Sequence, residues 1–262
     1  MSSAFFEELN DILKRGEAAA IAVIIRIEGS TPRKTGARML IRSDGTISGT
    51  IGGGKMEAET IKAALECLKT RSVRLLTFDL KSLKDPDMDL SCGGDVMIFV
   101  EPVAPPDRCV IFGGGHVGYA IYSILSTLDF RITIVDDRKS FATRKRFPKA
   151  GKIICKPYKD AFTRLSPGKE DYIVICTRMH SSDGQCLEWA LKSPAGYVGM
   201  LGSKNKVKYL KKKMRDLGIK PKRLSQLHSP IGIEIGAMTP EEIAVSVAAE
   251  MIQVRSSRFA AL

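Results

Sequence analysis

The stretch that decides the fold runs from residue 108 to residue 136, RCVIFGGGHVGYAIYSILSTLDFRITIVD. An apolar strand, CVIF, leads into Gly113-Gly114-Gly115-His116-Val117-Gly118, which spells G-x-G-x-x-G. A helical pattern and a second apolar strand ending at Asp136 follow, 23 residues beyond Gly113. A bare glycine fingerprint says little, but here it sits between a strand and a helix with an acidic residue at the end of the next strand. In such a turn Gly113 allows the sharp bend, Gly115 lets a pyrophosphate approach the backbone, and Gly118 lets the helix pack on the strand. The helix start, where His116 stands, turns unpaired amides and a positive dipole end toward phosphate. Asp136 is placed to accept from a ribose diol, which favours NAD over NADP; the nearby Arg138 weakens that preference.

Outward from this stretch, strands and helices alternate as RITIVDD, KIICK, DYIVICT, GQCLEWALK, YVGMLGS and KVKYLKKKMRDLG. That alternation predicts parallel βαβ units. The last helix has its own start signal, with Thr239 as N-cap, Pro240 at the first position and Glu242 closing a capping box. Upstream, EPVAPPDR (101–108) reads as an extended connector because its three prolines favour one. The region before it reads helix, three strands, helix, two strands, with a hairpin turn at Ser43-Asp44-Gly45. The expected architecture is α/β, a Rossmann-like parallel-sheet C-terminal domain (105–262) with a smaller α+β N-terminal domain (1–104). At roughly 150 residues per domain, 262 residues suit two domains.

Composition narrows the classes. Hydrophobic residues make up 44% and charged residues 27%, as in globular proteins. The longest apolar run, residues 18–25, is far too short for a bilayer crossing. The opening MSSAFFEELNDILKRGE reads as an acidic amphipathic helix without signal-peptide order, so a cytoplasmic protein with no membrane partner is expected. Forty-one Lys and Arg against 29 Asp and Glu leave a net charge of +12. Much of the excess lies in KNKVKYLKKKMR (204–215), where Val207, Leu210 and Met214 recur at helical spacing and the lysines form the wet face. No aromatic ladder accompanies them, so a solvated face is expected and no nucleic-acid partner. The six cysteines form no C-x-x-C pair. Only Cys92, in SCGGD, has a loop context that suggests chemistry; the others read as core or helix thiols.

A second glycine-rich segment, Gly49-Thr50-Ile51-Gly52-Gly53-Gly54-Lys55, spells G-x-x-x-x-G-K. The P-loop reading fails at Met56, which stands where a Ser or Thr hydroxyl must bind magnesium. The simpler expectation is a backbone-amide nest at a helix start, with Lys55 as an anion contact.

Several segments together resemble the XdhC/CoxI proteins, accessory factors of molybdenum hydroxylases. They are EGSTPRKTGARMLIRSDGTISGTIGGGKMEAE (28–59), SCGGDVMIFVEPV (91–103), VIFGGGHVGYAI (110–121), VDDR (135–138), YVGMLGS (197–203) and HSPIGIEIGAMTPEEIAVSVAAE (228–250). The resemblance covers nearly the whole chain in order. It implies a protein that binds molybdenum cofactor (molybdopterin, or its dinucleotide form), supports its sulfuration and passes it to an apo molybdenum hydroxylase. A cysteine desulfurase is an implied partner, and a homodimer the default assembly. Two positions depart from the family pattern. Lys55 replaces a Cys after the triple glycine, leaving Cys92 as the thiol expected to ligate metal or relay sulfur. The pattern T-H-D-H-x-x-D reads Thr177-Arg178-Met179-His180-Ser181-Ser182-Asp183, so His180 and Asp183 remain.

The expected cofactor site therefore comprises Arg33, Arg38, Gly52, Gly53, Gly54 and Lys55 from the first domain, and Gly113, Gly115, His116, Gly118 and Asp136 from the second. Cys92 and His180 are the chemical candidates. The sequence reading has both glycine turns flank one cleft, where ligands prefer to sit. Two competing readings stay open at this stage. One is an NAD(P)-linked oxidoreductase using His180 as acid–base. The other is a non-catalytic dinucleotide sensor.

Overall fold

The computed structural model describes residues 3–29, 31, 33–80 and 94–260, with side chains described through residue 257. The chain forms two compact units, the second spanning Pro106–Ser256. The first contains α1 (Ser3–Lys14), β1 (Ala19–Glu28), β2 (Arg38–Arg42), β3 (Ile47–Gly49), α2 (Gly54–Thr70), β4 (Arg74–Asp79) and β5 (Asp95–Val103). Its strands form an antiparallel sheet in the order β3-β2-β1-β5-β4. Alternation along β1 builds two cores. Ala20, Ala22 and Ile24 face Met56, Ala64 and Cys67 of α2, while Ala19 and Ile21 face Ile12 of α1.

The proline-rich connector is shorter than its sequence suggests. Pro102 lies inside β5, opposite Ala20 of β1, and only residues 104–106 are irregular. The reason is one-sided pairing: β4 begins at Arg74, opposite Val100, so among the described residues no strand pairs with β5 on that flank at Pro102. A missing N–H there breaks no ladder bond.

The second unit comprises β6 (Asp107–Phe112), α3 (His116–Leu125), β7 (Phe130–Asp136), β8 (Lys152–Cys155), α4 (Tyr158–Phe162), β9 (Tyr172–Ile175), α5 (His180–Lys192), β10 (Tyr197–Met200), α6 (Lys204–Asp216), α7 (Pro221–Leu224), β11 (Leu227–His228) and α8 (Pro240–Ala260). Every strand pair is parallel, in the order β11-β10-β9-β6-β7-β8. Counted from β6, that is 3-2-1-4-5-6 read backward, the doubly wound Rossmann order. Continuous apolar runs such as YIVI in β9, buried at every position, suit a sheet covered on both faces. One face packs α4, α5, α6 and α7; the other packs α3 and α8. The chain reverses winding between β6 and β9, which puts the segments after those strands on either side of the switch point, at the carboxyl edge of the sheet.

The capping box forms as its sequence predicts. Thr239 N donates to Glu242 Oε2 at 3.0 Å, and Glu242 N donates to Thr239 Oγ1 at 3.2 Å. The wet face of α6 needs one amendment. Lys206 turns inward, where its ammonium pairs with buried Asp183 and donates to Leu201 O at 3.1 Å. Helical periodicity cannot register a buried carboxylate on a neighbouring helix.

Candidate functional site

The glycine turn of the second unit is shaped by backbone crowding at three of its glycines and by open space at a fourth. Gly113, at φ 111°, donates its N–H to Val135 O at 2.8 Å. A Cβ there would sit 2.3 Å from Cys176 O, on the strand end across the switch point. At Gly114 a Cβ would meet Phe141 O at 2.7 Å, and at Gly118 it would meet Gly113 O at 1.9 Å. Around Gly115 nothing among the described residues lies within 4 Å of that position. Gly115 is also the N-cap of α3 and has no side chain to accept from the helix's first amides; the first turn holds no acidic residue. His116, its first helical residue, is exposed. The turn thus leaves an approach to a positive helix end, the geometry that suits a phosphate.

Asp136 is the anchor of this turn, and its carboxylate is fully engaged. It is completely buried. Oδ2 accepts from Gly114 N at 2.8 Å and from Arg138 Nη2 at 2.9 Å. Oδ1 accepts from Arg138 N at 3.0 Å and from Arg138 Nε at 2.9 Å. Burial pushes the carboxyl upward, but the Arg138 side chain, the Arg138 amide and the Gly114 amide outweigh it and hold the group below its usual value. Arg138 in turn lies over the Phe141 ring, 3.6 Å from its centre. A second guanidinium, Arg146, donates to Gly114 O at 3.2 Å and Gly115 O at 3.4 Å and lies over Tyr119. Arg146 therefore holds the turn's carbonyls.

Across the switch point, the segment after β9 is held by Asp183. This buried carboxylate accepts from Thr177 N at 3.1 Å and Thr177 Oγ1 at 2.7 Å, besides its pairing with Lys206. Arg178 reaches Asp137 at 3.3 Å, tying this segment to the end of β7. His180 is the exposed first residue of α5. Asp183 is thus a loop anchor, with its acceptor oxygens turned to Thr177 and Lys206.

In the first unit the glycine segment takes a different arrangement. Glu57, in the first turn of α2, sends Oε2 back to accept from Ile51 N and Gly53 N, both at 3.2 Å, and from Thr50 Oγ1 at 2.6 Å. Gly52 (φ 136°), Gly53 (φ 81°) and Gly54 (φ 61°) adopt backbone that side-chain-bearing residues avoid. The expected amide nest exists, but its anion is the chain's own Glu57, so the reading of it as open to an external phosphate is corrected. An acidic residue in the first turn of a helix that starts on glycines was the available signal. Lys55 and Arg33 are exposed and Arg38 is half-buried at the start of β2. Cys92 lies outside the described residues.

The described cysteines bear on sulfur chemistry. Burial raises the thiols of Cys67, Cys109 and Cys186. Cys176, whose Sγ is 3.5 Å from Gly113 O beneath the turn, is pushed up to about 12 by burial and then by Asp183. These four are packing thiols that stay protonated at neutral pH. Among the described residues no group of three His, Cys, Asp or Glu could hold a metal ion, and no helix is long and apolar enough to cross a membrane.

Sequence reasoning missed one further cluster. Tyr197 Oη donates to Glu250 Oε2 at 2.6 Å, Gly232 N donates to the same oxygen at 3.0 Å, and His228 Nδ1 lies 3.1 Å from Oε1. Burial raises the Glu250 carboxyl, but bonds from His228, Tyr197 and Gly232 prevail and hold it low. The cluster ties the segment after β11 to α8.

Doubly wound strand order together with a G-x-G-x-x-G turn defines the class: a Rossmann-type unit, preceded here by an antiparallel α+β unit. Residues 109–251 match the XdhC Rossmann domain, and residues 12–79 match the XdhC and CoxI family. The chain belongs to the XdhC family. It is 33% identical to YqeB of Escherichia coli over 91% of its length, and spans only 44% of that relative. It is 24% identical to a protein of Bacillus subtilis described as a probable xanthine dehydrogenase subunit, over 96% of this chain and 97% of the other. It is 22% identical to the molybdenum cofactor insertion chaperone PaoD of Escherichia coli, over 94% and 86%. Its fold is similar to that in the crystal structure of a xanthine dehydrogenase from Bacillus halodurans, with a TM-score of 0.55 at 24% identity and 96% coverage of both chains.

Proposed function

We propose that this protein is an accessory factor that binds molybdenum cofactor as cargo, supports its sulfuration and hands it to an apo molybdenum hydroxylase of the xanthine-dehydrogenase kind. The observation that carries the reading is the open α3 N-terminus at Gly115, found in a chain of the XdhC family. Molybdopterin ends in a phosphate, or in a diphosphate in its dinucleotide form, and that end fits where a Cβ would meet nothing. Amides at the start of α3 would receive it, with Gly113 and Gly118 shaping the turn and His116 beside it. The relative named as a molybdenum cofactor insertion chaperone supports the cargo assignment.

In this reading Arg33, Arg38 and Lys55 are the first unit's own cationic contacts for anionic cargo, the nest around Gly53 being already held by Glu57, and Cys92 is the sulfur contact that a soft, sulfur-rich metal centre prefers. A cysteine desulfurase is the source of sulfur for that position. His180, the first residue of α5 at the carboxyl edge of the parallel sheet, is the acid–base candidate of this reading. A cytoplasmic homodimer is part of the same reading.

The test is a titration of the purified protein with molybdopterin under anaerobic conditions. Stoichiometric binding is expected, weakened at least tenfold by Gly115→Val, whose side chain fills the phosphate approach. Cys92→Ser is expected to leave pterin binding within about threefold and to abolish retention of the sulfurated form. Absence of binding by the wild-type protein would overturn the proposal.

A further inference from the structure

Conventional dinucleotide-binding Rossmann turns read the adenosine ribose with a carboxylate at the end of the second strand, the position of Asp136. A carboxylate offers about four acceptor positions. At Asp136 all four are used: Gly114 N takes one and Arg138 takes three, through its amide, Nε and Nη2. The Asp136 side chain is wholly buried, whereas the Arg138 side chain that covers it retains 26% exposure. Arg138 therefore stands between Asp136 and solvent, where a ribose would have to enter.

The exchange a ribose requires is unfavourable. A diol brings neutral O–H donors, whereas the fork it would displace makes charge-assisted bonds that are roughly twice as strong. Displacement would also lift Arg138 from the Phe141 ring, 3.6 Å away. Meanwhile the bond from Gly114 N to Asp136, which shapes the glycine turn, is untouched by Arg138. The fork closes the ribose position and leaves the phosphate end of the turn as it is.

We infer that Arg138 is a specificity-determining residue, which occupies the ribose-reading position of the turn and so directs it to diphosphate-bearing ligands other than NAD and NADP. This rests on the proposed phosphate role of Gly115 and α3. It narrows the ligand class to compounds whose recognition comes from the diphosphate and from groups other than a ribose at Asp136. It also separates this chain from the oxidoreductase reading that its glycine fingerprint invites.

Calorimetry with inorganic pyrophosphate, NAD and NADP on the full-length protein tests it. For the wild type, NAD and NADP are expected to bind within about threefold of pyrophosphate, with no gain from the adenosine half. Arg138→Ala, or Arg138→Leu where the alanine variant does not fold, exposes Asp136 and is expected to tighten NAD at least tenfold while leaving pyrophosphate within threefold. Asp136→Asn added to that variant is expected to reverse the gain. Wild-type binding of NAD or NADP more than tenfold tighter than pyrophosphate overturns the inference, NADP in particular meaning that Arg138 reads a 2′-phosphate. So does a folded Arg138 variant without the NAD gain, and that result leaves the phosphate reading standing. Failure of pyrophosphate to bind the wild type removes the phosphate reading and this inference with it.

Discussion

Two glycine-rich turns, each leading from a strand into a helix, meet negative charge in opposite ways. In the first unit Glu57 folds back from α2 onto Ile51 and Gly53, so the turn carries its own anion. In the second unit the carboxylate comes from the neighbouring strand end, engages Gly114 and Arg138, and leaves the start of α3 without an acidic residue in its first turn. The lesson is that glycine content gives a turn its backbone freedom, but the origin of the nearest carboxylate decides whether that turn is structural or receptive. A carboxylate on the same helix closes the nest, and one on the next strand props it open.

The strongest way to break this contrast is at the second turn. Gly118→Ala would place a Cβ 1.9 Å from Gly113 O. The expected cost is about 3 kcal/mol, the upper end of overpacking. Thermal denaturation is then expected to fall by about 10 °C. Gly115→Ala, with open space at its Cβ, is expected to stay within about 0.5 kcal/mol of wild type. Equal losses in the two variants would mean that the turn is not open at Gly115.

Next comes the carboxylate itself. Asp136→Asn breaks a buried pair whose partner is partly exposed, for about 2 kcal/mol at pH 7. The folded-state carboxyl is held below its usual 3.8. Its contribution is therefore complete above that pH and is lost as pH falls through the folded value. Urea melts from pH 7 to pH 2 should show the wild type losing this increment on the acid side and the variant lacking that part of the slope.

Glu57→Gln sharpens the comparison from the other side. It weakens charge-assisted bonds to three donors, for about 1 kcal/mol. By removing the resident charge it is also expected to make the melting temperature rise more steeply with added sulfate than in the wild type. An unchanged sulfate response would show that the nest is closed by geometry and not by charge. The smallest effect is expected at a site remote in sequence from both turns. Thr239→Ala removes an N-cap for about 1 kcal/mol or less, with pyrophosphate binding unchanged.

Much of this was legible in the residues. The 108–136 stretch and the alternation after it indicate a doubly wound sheet because short-range apolar periodicity and glycine placement are local properties. The Thr239-Pro240-Glu242 start of α8 could be read for the same reason: its partners are three residues apart. Lys206 could not be read, since its partner Asp183 is 23 positions away on another helix. Nor could Arg138 be foreseen as a plug. Its place beside Asp136 in VDDR is visible, but the rotamer that folds it back depends on Phe141 as a platform.

The amino-acid sequence by itself determined the family, the fold class and the strand–turn–helix context of each glycine segment, because these follow from pattern and spacing along the chain. Only the tertiary structure decided which carboxylate serves which amides, and hence that one nest is filled by Glu57 and one ribose position by Arg138. Hydrogen-bond partners are chosen by proximity after packing. A carboxylate within reach of several donors takes all that its lone pairs allow, whatever their separation in sequence.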